Sequence, residues 1–152
     1  MTTDDKFLAS FEATTLPRHR WTHTAHVRMA WLYLTRLPEA DAIDKIRSGI
    51  RNLNARYVED GKAQAADSHC IPAPEPQAEP AGYHETITVA FVRLIASRVK
   101  GKEKYGTFRK NNPDMFDRGM PALLQHYSKD RLHSPESRLA FAEPDLAPLP
   151  GE

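Results

Sequence analysis

A single cysteine, Cys70, stands in a chain of 152 residues. It excludes an intrachain disulfide and any metal cluster built from cysteine alone, and it fits a reducing cytoplasm. An excess of one charge is also missing: 21 Lys and Arg oppose 20 Asp and Glu, for a net charge of +1 with His neutral. Nucleic-acid binding normally shows as a basic excess or stripe. The short basic runs Arg18-His19-Arg20, Lys100–Lys104 and Arg109-Lys110 read instead as solvated loop charges. No apolar run approaches the roughly 20 residues a membrane-spanning helix needs. No positively charged start followed by an apolar stretch is present, so no secretory signal is expected. The glycines form neither a phosphate loop nor a dinucleotide fingerprint, and there is no nucleophile elbow. Internal repeats and strand patterns are absent too. The expected setting is cytoplasmic, with no nucleic acid and no membrane as partner.

What remains is helical. The length suits one domain, residues 1–152, and 40% hydrophobic residues suffice for a core. A short helix is expected over Asp4–Ala13, with Phe7, Leu8 and Phe11 on its apolar side. A second begins at Thr22, a good N-cap residue, and ends near Leu37, because Pro38 disfavours helical geometry before it. At about 100° per residue, His23, His26, Ala30, Tyr33, Leu34 and Leu37 share one stripe. A third covers Glu39–Tyr57, with Ile43, Ile46, Ile50, Leu53 and Tyr57 recurring at three and four. The short Leu37-Pro38 link makes the two helices a hairpin. Residues 59–82, with Pro72, Pro74, Pro76 and Pro80, read as a long loop that buries too little to offset ordering. Tyr83–Lys100 reads as a helix apolar over most of its circumference and therefore central. Lys100–Asp114 reads as a polar connection. Short helices start at Asp114 or Pro121, with Met115, Phe116, Met120, Leu123 and Leu124 as packing residues. Ser134-Pro135-Glu136 opens a last helix ending near Ala142, and residues 143–152 form an extended, proline-rich tail. The expected fold is an all-α compact bundle of about five to six helices with one long loop.

Chemistry concentrates at His23 and His26, three apart on one helical face, where both rings can meet one ion. His84 is the third candidate ligand, and Glu85 beside it is either an additional ligand or a general base. Two histidines and a carboxylate leave positions open for water or substrate, whereas three histidines suit zinc with Glu85 free as the catalytic base. The metal is zinc, iron, manganese or nickel. On this reading the chain is a metal-dependent enzyme, hydrolytic or oxygenase-type, acting on a small molecule. The alternative is a non-catalytic binding or interaction module whose histidines form a hydrogen-bonded core network. A pH or metal sensor would need a two-state element, which the sequence does not identify.

Several side chains have bland and functional readings together. Tyr83, Thr86 and Thr88 flank the site, either as packing residues or to orient a substrate. Ser128, Arg131, Ser134 and Arg138 form an anion clamp, or else Ser134 caps a helix and the arginines are solvated. Asp145 either folds back to orient a ligating histidine or stays exposed. His69-Cys70 has metal-binding chemistry in a loop. His19, His126 and His133 read as surface residues.

The segments Trp21-Thr22-His23-Thr24-Ala25-His26, Tyr83-His84-Glu85-Thr86 and Glu143-Pro144-Asp145-Leu146 resemble those of a group of short bacterial helical proteins of uncharacterised activity. The likeness covers most of the chain outside residues 59–82. It implies that the two histidine segments belong together and that the 59–82 stretch is an insertion.

Overall fold

The computed structural model describes residues 2–61 and 83–150. Thr2 opens the first helix, α1 (Thr3–Glu12), with a capping box: its hydroxyl accepts from Asp5 N–H at 3.0 Å, and the Asp5 carboxylate accepts from Thr2 N–H at 3.2 Å. Leu8 and Phe11 are its buried residues.

α2 spans His23–Arg36. Thr22 caps it as expected, accepting from Ala25 N–H at 3.2 Å, and the chain turns extended at Leu37 before Pro38. Its buried face is wider than the single stripe read from periodicity. Val27, Met29, Trp31 and Leu32 are buried as well, because α3, α4 and a 3-10 turn at Pro113–Phe116 all pack on it.

α3 (Glu39–Gly61) continues past Tyr57 into the stretch expected to be loop. Ala42, Ile46, Ile50, Leu53 and Tyr57 face the core, and the helix packs on α2. Gly49 faces Phe11 of α1 so closely that a Cβ there would stand 2.2 Å from the ring. This position needs glycine for close approach, at the cost in helix propensity that glycine carries. The expectations for residues 62–82, including His69-Cys70, lie outside the described residues.

α4 (Glu85–Arg98) is the central element, buried along most of its length and packed on α2, α3 and two short helices near the C-terminus. His84 is its N-cap rather than a residue within its first turn. After it the expected polar connection is in part a helix, α5 (Tyr105–Asn111). Phe108 is fully buried there, and Trp31, Tyr105, Phe108 and Phe116 form a ring cluster with centroids 5.4–6.3 Å apart. Tertiary packing of two aromatic side chains sets this helix, where the surrounding Lys and Arg residues masked its period.

The remaining helices are short: α6 (Pro121–Leu124), α7 (Lys129–His133) and α8 (Pro135–Leu139). Ser134 caps α8 as expected, with Pro135 at its first position. α8 stops at Leu139, short of Ala142. The extended backbone at Ala140 brings the following residues onto Thr86, whose hydroxyl donates to Ala140 O at 3.0 Å and accepts from Ala142 N–H at 2.9 Å. The tail is held down: Leu146 N–H donates to His126 O at 2.9 Å, and Leu149 is buried. Among the described residues the fold is all-α, five substantial helices plus shorter ones, without strands. No helix among them is long and apolar enough to cross a membrane.

Candidate functional site

The capping residue of the central helix carries the best-defined polar geometry. His84 is 3% exposed. Its Nδ1 accepts from Ile87 N–H at 3.1 Å, so it satisfies a first-turn amide that would otherwise be orphaned. Its Nε2–H donates to Leu132 O at 2.6 Å, at the far end of the chain. Ser137, fully buried, donates to the same carbonyl at 2.9 Å. Both ring nitrogens are thus engaged, which fixes the neutral Nε2–H tautomer. Burial, reinforced by the nearby charges of Arg138 and His133 against the pull of the Leu132 carbonyl, brings the imidazole down to about 4.

His23 is likewise buried at the start of α2. Its Nε2–H donates to Met115 O at 2.9 Å, and its ring meets Phe91 edge-on at 5.6 Å. Burial lowers its pKa, with the Met115 carbonyl opposing. His26 is half-buried and turned to the preceding segment. Its Nδ1–H donates to Thr22 O at 2.7 Å, and its ring stacks on Trp21 at 3.8 Å.

These placements correct the expected metal centre. No group of three or more His, Cys, Asp or Glu able to hold an ion occurs among the described residues. A ligating imidazole needs a nitrogen lone pair on the metal; His84 has given its lone pair to Ile87 N–H and its proton to Leu132 O. His23 and His84 are braced to different segments, the Pro113–Phe116 turn and α7. The divalent-metal cofactor, and with it the hydrolytic or oxygenase chemistry it would supply, is therefore replaced by a hydrogen-bonded network of histidines.

Glu85, the expected catalytic base, sits at the first position of α4 with its side chain 11% exposed. Arg47 of α3 grips it in a fork, Nε on Oε1 at 3.1 Å and Nη2 on Oε2 at 2.8 Å. The hydroxyl of fully buried Tyr83 donates to Oε1. Burial pushes the carboxyl up, but the hydrogen bonds from Arg47 and Tyr83 prevail and hold it below its usual range. Burial and Glu85 together push the Tyr83 hydroxyl upward.

Other polar residues land away from their sequence reading. Arg138, read as solvated, is 8% exposed and donates to Tyr83 O at 2.7 Å. Asp145 does fold back, but onto Ser128, whose N–H and hydroxyl donate to it at 2.8 and 2.6 Å. His126, read as a surface residue, is half-buried with its Nδ1 against Ala147 O at 3.1 Å. The partners that sequence reasoning missed are Arg47 and the carbonyls of Met115 and Leu132. Carbonyls leave no mark in a sequence, and Arg47 lies off the apolar stripe of α3 with Lys45 and Arg51, where nothing in the spacing singles it out.

Beside His23 and His26, but not reached by His84 or Glu85, there is a small cavity of about 70 Å³ between α2, α3 and α4. Ile46, Ile50, Ile87, Phe91, Val92 and Ile95 dominate its wall, with His23, His26 and Thr88 as its polar members. Such a wall offers van der Waals contact and few directional partners, so it suits an apolar group over a reacting polar one. No family model, curated protein or solved structure matches the chain.

Proposed function

We propose that this protein is a non-catalytic helical binding module whose buried histidines are structural braces and whose ligand is a small apolar molecule or apolar group. The observation that carries this reading is the cavity between α2, α3 and α4, whose wall is made chiefly of aliphatic and aromatic side chains. The histidines beside it support the reading. His23 has a ring nitrogen directed to Met115 O, which ties α2 to the Pro113–Phe116 turn, while His26 turns its Nδ1–H to Thr22 O within its own first turn. Apolar cavities of about 150 Å³ bind benzene or xenon; about 70 Å³ is room for a smaller occupant such as xenon or a short alkyl chain.

The test is methyl-resolved NMR of the full chain under xenon pressure. Saturable shifts at Ile50, Ile87 and Ile95, abolished when Ala30→Leu fills the space, are expected. Shifts spread evenly over the surface, or none, would sink the reading.

A further inference from the structure

A second depression lies on another side of the bundle, between α1, the start of α2 and α5. Its volume is about 670 Å³, within the roughly 300–1,000 Å³ range of small-molecule sites. Its charge is one-sided. Lys6, Arg20, Arg28 and Arg109 line it against a single carboxylate, Asp4. That carboxylate is taken by Arg28 at 2.6 Å. Among the described residues, Lys6, Arg20 and Arg109 have no carboxylate partner.

One further feature points the same way. The start of α2 joins the cleft through Thr22, Thr24 and Ala25. The positive end of a 14-residue helix therefore adds to the cationic side chains. Phe7, Leu16 and Pro17 supply an apolar wall.

We propose that this cleft binds a small organic anion, an oxyanion head on an apolar body, with the head held by Arg20 and Arg109 and the body laid on Phe7 and Leu16. A donor-rich, acceptor-poor cleft selects an acceptor-only group such as a carboxylate or phosphate. The apolar wall selects against a bare inorganic ion. This site is separate from the apolar cavity and does not rest on the reading given above for it.

The experiment is a titration of octanoate into the full chain, followed by amide NMR, with octanol as the uncharged control and octyl phosphate as the alternative head. Saturable shifts at Thr24, Ala25 and Tyr105 are expected with both anions and not with octanol, weakening as salt is raised. Tyr105→Phe, which removes a hydroxyl buried beneath the cleft wall, leaves octanoate binding unchanged. Arg20→Ala/Arg109→Ala, at exposed positions, abolishes it. Absence of saturable shifts at these amides, equal binding of octanol, or unchanged affinity in Arg20→Ala/Arg109→Ala overturns the proposal. So do shifts confined to Ile50, Phe91 and Ile95, which would put the ligand in the apolar cavity.

Discussion

His84 Nε2–H donates to the carbonyl of Leu132 at 2.6 Å, tying the start of the central helix to α7 across 48 residues of chain. The same ring caps α4 through Nδ1. One neutral side chain thus does the work of a helix cap and a tertiary tie, and it performs both only while unprotonated at Nδ1.

That requirement gives a pH dependence. The unfolded His84 titrates near 6.5 and the folded one at about 4. Below 6.5 the unfolded chain takes up a proton that the folded chain refuses, so this stability is complete above 6.5 and is lost as pH falls toward 4. The shift corresponds to about 3 kcal/mol at about 1.4 kcal/mol per unit, and His23, lowered by burial, acts in the same direction. His84→Asn retains a cap acceptor and removes the titration. Chemical denaturation from pH 7.5 to 4.5 should show a steep loss in the parent and a flatter profile in the variant. Equal slopes would refute the assignment.

His23 separates a hydrogen-bonded brace from a ligand. His23→Gln keeps an N–H donor able to reach Met115 O, whereas His23→Ala leaves that carbonyl without it. Gln should cost less than about 1 kcal/mol and Ala about 2 kcal/mol, the penalty of a lost buried partner with some packing. Addition of EDTA should leave the melting temperature of the parent unchanged. Gln as damaging as Ala, together with a chelator-sensitive melt, would restore the metal.

The Arg47–Glu85 fork crosses from α3 to α4. Arg47→Ala strands a largely buried carboxylate and should cost about 2 kcal/mol, below a fully buried pair because Arg47 is 31% exposed. The folded carboxyl titrates below its ordinary 4.5. Its contribution is therefore present above 4.5 and lost as pH falls through the folded value. In Arg47→Ala this acid-phase loss should disappear. Glu85→Gln/Arg47→Ala, measured in a double-mutant cycle by urea denaturation, should show coupling of about 1 kcal/mol or more; additive costs would mean the fork is idle.

Gly49→Ala tests a contact rather than a charge. Alanine raises helix propensity by about 1 kcal/mol, yet its Cβ would stand 2.2 Å from the fully buried Phe11 ring. The clash should win, with a net loss of about 2 kcal/mol or more. Phe11→Leu in the same chain should recover part of it. A stabilised Gly49→Ala would mean that α1 moves away from α3 freely.

Much of the bundle was legible because its signals are local. Thr22 and Ser134 cap helices where their residue types say they should. The apolar circumference after Tyr83 identified the central helix, since the helix with most sides apolar has nowhere else to go. Less was legible where neighbours decide. α5 owes its place to Trp31 and Phe116, which lie far from it or beyond its end in sequence. Arg138 has the residue type of a solvated cation, and its burial against Tyr83 O depends on how α8 docks on α4. The H-x-x-H spacing placed His23 and His26 on one turn but could not aim their rings.

The sequence by itself determined the all-α character, the main helices and the caps Thr22 and Ser134, because helix periodicity and capping act within a few residues. Tertiary structure alone decided what the histidines do. An imidazole can ligate a metal or donate to a carbonyl with the same two nitrogens. The choice lies with what stands opposite, here the carbonyls of Met115 and Leu132. Backbone carbonyls occur at every residue, so no side-chain pattern could reveal which two would be brought to meet those rings.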